Sequence, residues 1–588
     1  MGRDRETLFG THVHRRGFLG WCARGLATLA SIPLFSAVSD KARAAGTVTP
    51  SGPGPYTLLK NGLVVDGTGA PGFTGSVLLA GDRIEAVTTE EMDAPGDVID
   101  CTDRVIAPGF IDMHSHMDWF LPVEGRPELK APFINQGITT FVAGNCGYGV
   151  AGFMKDSPHM DLITDRTRGL YELNWRTMDE YFDRIEAIGL SHNLANLAGH
   201  GTTRASIRGF DASPLSTGEM DLMLGLLEEA MDMGACGVSL GLQYEPGVFA
   251  TLDELREVAR LIKNKDKILT VHMKAYSTLS GTYPLKLFGT PHNLLAIEDM
   301  LQVARDTGVR LQLSHLIFVG SLTWKNYEEA LAMIDQAITE GLDVKFDTYA
   351  YHCGTSHINV FMPEWFLADA PEVYEDRKAL GKLKRQITLM ESLLGFGYEQ
   401  IQITDAKHEE LNQYNGMFLA DIARERGMKD FENYIDFARK SNGLARVLNH
   451  RYSNPEIVDA LMAHPASLFM TDASPVIEGV QNPGTFGCFP KFLMDARNRN
   501  IIPLEEVIYK MTGGTAERFG VAHRGLIKEG MAADIVVFDP YRIADNNTLT
   551  ETDRTPTGID AVFINGVRVA TDGVADGDSG AGMVDRLI

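Results

Sequence analysis

His114-Ser115-His116 is the first place in the chain where residue types and spacing together suggest chemistry. Alternate residues of a strand share a face, so two imidazoles two positions apart at a strand end point the same way. Asp118 follows in the loop. Four more metal-capable side chains each stand at the end of a short apolar run: Cys146, His272, His315 and Asp472. One His-x-His pair alone carries little. Six such groups at the ends of apolar runs carry much more, because strand ends are where parallel barrels build their active sites. Imidazole and thiolate suit zinc, and a carboxylate serves as a harder ligand or as a base. Zinc-activated water attacks a carbonyl carbon. Asp472 is placed to accept its proton and return it to a leaving nitrogen.

The elements that must position these groups alternate strand and helix. Eight apolar strand candidates are Phe110–Met113, Thr139–Gly144, Leu194–Ala198, Gly237–Leu240, Ile268–His272, Leu311–His315, Val344–Tyr349 and Leu468–Thr471. Helical periodicity falls between many of them, at Leu222–Met233, Leu252–Asn264, Ala296–Thr307 and Tyr327–Glu340. Eight such units predict an α/β fold, a (β/α)8 TIM-like barrel over 108–519, with a doubly wound open sheet as the competitor. Residues near 361–465 exceed what a barrel helix needs and read as an insertion at the barrel mouth and a candidate lid. Strand-like runs at 56–107 and 520–588 predict one small β-sandwich domain built from both chain ends.

The chain has 588 residues and a net charge of −24. Its size and its 44% hydrophobic content exclude a disulfide-stapled mini-protein, a collagen-like chain and a mostly disordered one. The acidic balance argues against nucleic acid as a partner. Residues 1–44 depart from that balance, with seven basic and three acidic residues. Arg15-Arg16 precedes Gly17-Phe18-Leu19-Gly20, an apolar stretch too short to span a membrane, and Ala42-Arg43-Ala44. This pattern is similar to a twin-arginine export signal, and it implies a periplasmic or secreted protein. Residues 45–55 read as a linker. Beyond the signal lie five widely spaced cysteines, Cys101, Cys146, Cys236, Cys353 and Cys488, and no disulfide framework follows. No Gly-rich phosphate loop is present. Oligomerisation stays open.

Longer motifs surround the metal-capable residues. They include Ala107-Pro108-Gly109-Phe110-Ile111-Asp112-Met113-His114, Gly144-Asn145-Cys146-Gly147, Gly199-His200-Gly201-Thr202, Ser314-His315-Leu316, Gly484-Thr485-Phe486 and Gly530-Met531-Ala532-Ala533-Asp534. With them the chain resembles the N-acyl-D-amino-acid deacylases, or D-aminoacylases, of the amidohydrolase superfamily. The resemblance implies that Cys146, His272 and His315 hold a tightly bound zinc. It places His114, His116 and Asp472 around a second, weaker position. It makes Asp472 the general base and acid. The fourth strand, Gly237-Val238-Ser239-Leu240, lacks the carboxylated lysine of many superfamily members, and Cys146 stands in as the bridging ligand. The family pattern also has a lysine, implicated in holding the substrate carboxylate, where this chain has Ile317. Lys274 is then the candidate to replace it.

The expected substrate is a small amide: an N-acyl-(D-)amino acid or a modified derivative. Tyr244 and His200 are candidates to steady the oxyanion or substrate, and each reads equally as a packing or structural group. Trp119 either lines an apolar pocket or packs the barrel mouth. The alternative reactions are cyclic-amide opening of the hydantoinase or dihydroorotase type and deamination. The alternative from another class is a metal-binding protein without turnover.

Overall fold

The structure, a computed structural model, describes residues 55–587 apart from 165, 166, 168 and 285–288. The double-arginine segment and the linker up to residue 54 lie outside the described residues. Strands buried on both faces read as predominantly apolar runs, and most of the barrel strands do so. All six residues of Ile138–Ala143 and all five of Ile268–His272 are buried. With Phe110–Asp112, Asn193–Gly199, Gly237–Gly241, Arg310–Leu313, Val344–Thr348 and Ser467–Phe469 they form one eight-stranded sheet whose neighbours all pair in parallel. Every predicted barrel strand is present within a few residues of its expected bounds.

The helices between them bury one stripe. Helix Leu252–Asn264 starts where the Thr251 side chain accepts from the Glu254 backbone N–H. It turns Leu255, Val258, Ala259 and Ile262 inward, the spacing of one helical face.

The sheet closes on itself. A parallel bridge joins Ser115 to Ala473, and the Asp472 N–H donates to the His114 carbonyl at 3.0 Å. Just below this seam the Asp112 carboxylate accepts from the Thr471 N–H at 3.0 Å and from its hydroxyl at 2.6 Å. The contact spans 359 positions of sequence.

A second, mixed sheet of nine strands combines strands from the N-terminal and C-terminal parts of the described chain. Its centre is the antiparallel pairing of Val105–Pro108 with Ile535–Phe538. It is fastened to the barrel through polar side chains. Asp534 accepts from Arg524, from Asn193 Nδ2 at 3.0 Å and from the Asn565 N–H at 2.8 Å. Asn193 belongs to a barrel strand.

After the seventh barrel strand the chain leaves the barrel at Gly354. It builds an antiparallel three-stranded sheet with Arg446–Asn449 between Gly354–His357 and Ile401–Asp405. Helix Arg377–Leu394 lies in the same excursion. Helix Pro455–Ala463 packs on the last two barrel strands. The excursion therefore begins before 361 and ends before that helix, and it contains a sheet that the sequence pattern does not announce.

The Arg524–Asp534 pair is almost wholly buried. Asp534→Ala leaves the guanidinium without its main partner. A loss of about 3–5 kcal/mol in unfolding free energy is expected, read as a lower urea midpoint with the fold otherwise retained. An unchanged midpoint would show that the sheet is held to the barrel by other contacts.

Candidate metal centre

Each of the six groups singled out in the sequence stands at or just beyond the end of a barrel strand. The structure brings them together. The tightest set is His114, Cys146, His315 and Asp472, whose ligand atoms lie within 4.8 Å of one another. Cys146 Sγ is 3.3 Å from His114 Nε2 and 3.5 Å from His315 Nε2. Asp472 Oδ1 is 3.4 Å from His114 Nε2 and 3.5 Å from His116 Nε2. His272 Nδ1 is 2.9 Å from His315 Nε2. The tightest set thus draws from both of the groups that the family resemblance separates.

The backbone is bent to achieve this. Cys146, His315 and Asp472 all have positive φ, at 54°, 33° and 50°. That region is costly for side-chain-bearing residues and is typical of functional sites. Glycines make room around it. A Cβ on Gly241 would lie 2.0 Å from the Cys146 carbonyl oxygen. Ser239, on the fourth barrel strand, accepts from the Gly147 N–H at 3.0 Å and donates to the Gly144 carbonyl, bracing the Cys146 turn from both sides.

A further layer orients the ligands. Asp347 is the penultimate residue of the seventh strand and is buried. It accepts from the His315 N–H at 2.6 Å and from Gln312 Nε2 at 3.0 Å, and its Oδ1 lies 3.3 Å from His114 Nδ1. Gln243 Oε1 is 3.1 Å from His272 Nε2 and leaves Nδ1 facing the cluster.

The electrostatics interlock. Burial pushes the Cys146 thiol up, but charge on His114 and hydrogen bonds with His114, His116 and His272 outweigh it and hold the thiol well below its ordinary value. Burial opposes charge on His114, yet Cys146 and Asp347 raise it well above the ordinary value. His116 rises to about 9 against burial, through Asp472 and Cys146. Burial, with the neighbouring His315, takes His272 down to about 4. Asp472 is lowered against burial, chiefly by His315 and His116. A thiolate, imidazoles and a carboxylate so arranged fit zinc. Zinc bonds of about 2.0–2.3 Å in a tetrahedron place ligand atoms roughly 3.3–3.8 Å apart; the Cys146–His114, Cys146–His315 and Asp472–His114 separations of 3.3, 3.5 and 3.4 Å fall in that range, within a set bounded at 4.8 Å.

The cluster forms part of the wall of a cavity of about 440 Å³. Trp119, Phe120, Tyr148, Tyr244, Tyr276 and Ile317 line it from the barrel side. Phe361, Ile387, Met390, Leu394, Phe396 and Tyr398 line it from the insertion. Trp119 donates from Nε1 to the Tyr148 carbonyl at 2.9 Å, so it is fixed in the wall. The Tyr244 ring lies 4.4 Å from the His272 ring, and its hydroxyl is 3.4 Å from Ser356 Oγ.

His200 and Lys274 do not line this cavity. His200 opens a helix and its Nε2 meets Glu254 Oε1 at 2.9 Å, in a buried group with Arg204. A Gly-His-Gly strand end has turned its imidazole into the protein. Lys274 Nζ donates to the Val248 carbonyl at 3.2 Å and pairs with Glu364 at 3.4 Å. It cannot take the place of a lysine at position 317 while so engaged. Sequence reasoning passed over Asp347, Gln243, Lys407 and Arg446. Asp347 carried the same signal as Asp472, a carboxylate closing an apolar run.

A family model described as amidohydrolase family matches residues 375–570. The chain is 30% identical over 513 residues to a D-aminoacylase of Alcaligenes xylosoxydans xylosoxydans, spanning 87% of this chain and 94% of that one. Two solved structures superpose well. A D-aminoacylase with a binuclear metal centre gives a TM-score of 0.73 at 28% identity, over 90% of this chain and 99% of that one. An N-acyl-D-glutamate deacylase from Bordetella bronchiseptica, complexed with zinc and a phosphonate mimic of the tetrahedral intermediate, gives 0.74 at 27% identity, with the same coverage.

Asp347 touches two candidate ligands from behind. Partners of this kind typically contribute 10–100-fold to metal affinity. Asp347→Asn is expected to weaken zinc binding by about that factor in a chelator competition titration. Full affinity in that variant would separate Asp347 from the metal.

Proposed function

Because this chain belongs to the N-acyl-D-amino-acid deacylase family of the amidohydrolase superfamily, we propose that its six clustered residues hold zinc and that Asp472 moves the proton during amide cleavage. The protein is a metal-dependent amidohydrolase of the N-acyl-D-amino-acid class. The observation that carries the residue assignment is the convergence of His114, Cys146, His315 and Asp472 within 4.8 Å, with Cys146, His315 and Asp472 lining one large cavity.

Zinc held here polarises the substrate carbonyl and lowers the pKa of water. The chain's own residues do the rest. Asp472 accepts the proton of the attacking water. It then delivers that proton to the amide nitrogen as the C–N bond breaks. Water's oxygen ends on the carboxylic acid, and the amine leaves neutral. Cys146 and the imidazoles keep the floor of the site fixed, and Asp347 keeps two of those imidazoles in place. The aromatic and aliphatic walls exclude water and receive an apolar acyl group. Ile317 and Trp119 belong to that wall. Tyr244, its ring tilted 49° against that of His272, limits the imidazole's rotation and borders the substrate.

We also propose export by the twin-arginine route. It rests on the residues of the N-terminal segment alone, and cell fractionation with Arg15 and Arg16 replaced by lysine tests it.

The zinc-loaded protein is expected to release a carboxylic acid and a primary amine in equal amounts from N-acyl-D-amino acids. Asp472→Asn, assayed at saturating zinc, should lower kcat by about 10²–10⁴-fold, the usual contribution of a general acid–base group. Ring opening of hydantoins, or ammonia release, in place of acid and amine would transfer the assignment to the rival reactions.

A further inference from the structure

Cationic side chains are scarce around the cavity. Among the described residues that line it, Lys407 and Arg446 are the Lys and Arg side chains, and both come from the insertion. They are placed very differently. Lys407 Nζ lies 2.6 Å from Asp405 Oδ2, and its side chain is 47% exposed. Its charge is matched by a carboxylate and screened by solvent. Arg446 opens the middle strand of the insertion sheet. Its register partners are His357 on one side and Asp405 on the other, and both line the cavity as well. A strand paired along both edges offers a rigid mount.

The guanidinium also reaches the barrel. It donates to Ser474 Oγ and, at 3.3 Å, to the Pro475 carbonyl. These residues follow Asp472 almost directly in the chain. In an N-acyl amino acid a single carbon separates the amide nitrogen from the carboxylate. A group that reads the carboxylate must therefore stand beside the group that protonates the nitrogen. Arg446 is tied to the segment that carries Asp472. Its planar fork of N–H groups matches a carboxylate in a way that a lysine ammonium does not.

We propose that Arg446 binds the substrate carboxylate and makes the enzyme prefer a free N-acyl amino acid over the corresponding carboxamide. This rests on the deacylase reading above and adds its specificity determinant. The cation that selects the substrate then comes from the insertion sheet, while the chemistry stays on the barrel.

The test compares one N-acyl-D-amino acid with its own carboxamide, using full-length zinc-loaded enzyme, R446Q and R446K. The readout is the ratio of kcat/KM for the acid to kcat/KM for the carboxamide. In R446Q the ratio is expected to fall about 10–100-fold, the range for a hydrogen bond to a charged group, with the change carried by KM for the acid. R446K should lie between R446Q and the native protein, and it serves if R446Q fails to fold. A brace between the insertion and residues 474–475 would slow both substrates alike, so an unchanged ratio overturns the proposal. Native enzyme that prefers the carboxamide overturns it too. Failure of the deacylase reading has a different signature: the native zinc enzyme then releases no carboxylic acid from either compound.

Discussion

Four strands deliver an imidazole, a thiol, a second imidazole and a carboxylate into a space less than 5 Å across. Water is largely excluded there. Charges so close, in a medium of low effective dielectric, repel or attract too strongly to be left unbalanced. Either a cation binds or protons redistribute among the groups. The interlocked shifts of Cys146, His114, His116 and Asp472 are the proton solution. Zinc is the other solution, and it competes with those protons. Much of the local structure answers to this requirement. Asp347 is buried because it must back His114 and His315. Ser239 faces inward because it must hold the Cys146 turn. Three residues accept left-handed backbone, at about 1–3 kcal/mol each, because no relaxed conformation brings their side chains to one point.

A division of labour follows from the topology. The barrel places the floor of the site with the rigidity of eight paired strands. The insertion supplies walls, and with them contacts that vary without disturbing the floor. Phe361, Met390, Phe396 and Tyr398 shape the apolar side. Arg446 and Lys407 add charge. Chemistry and selectivity are thus encoded in segments far apart in sequence.

The barrel strands were legible because they are largely buried on both faces and most are dominated by apolar residues, although Arg310–Leu313 and Val344–Thr348 alternate apolar with polar positions. The six clustered residues were legible because polar, metal-capable types are conspicuous at the ends of such runs. Side-chain direction beyond a strand end was not legible. His200 and Lys274 stand in positions formally like those of Cys146 and His272, yet local turns send them elsewhere. The small insertion sheet was also hidden. Its strands are four or five residues long and pair across roughly forty to ninety residues of intervening chain. Arg446 gains its meaning only from that pairing. Asp347 is the exception, a readable signal that was passed over because Thr348 and Tyr349 extended the apparent strand beyond it.

The seam between the first and last barrel strands has a temporal meaning. His114 and His116 lie on one side of it and Asp472 on the other, and the small sheet likewise pairs early strands with late ones. A ribosome adding roughly 5–20 residues per second needs on the order of half a minute to pass from Asp112 to Thr471. For most of that interval the nascent chain carries His114, His116 and Cys146 without the carboxylate that completes their set. Metal capture in the native geometry is therefore an event of the finished chain, and the length of that wait is written into the order of the strands.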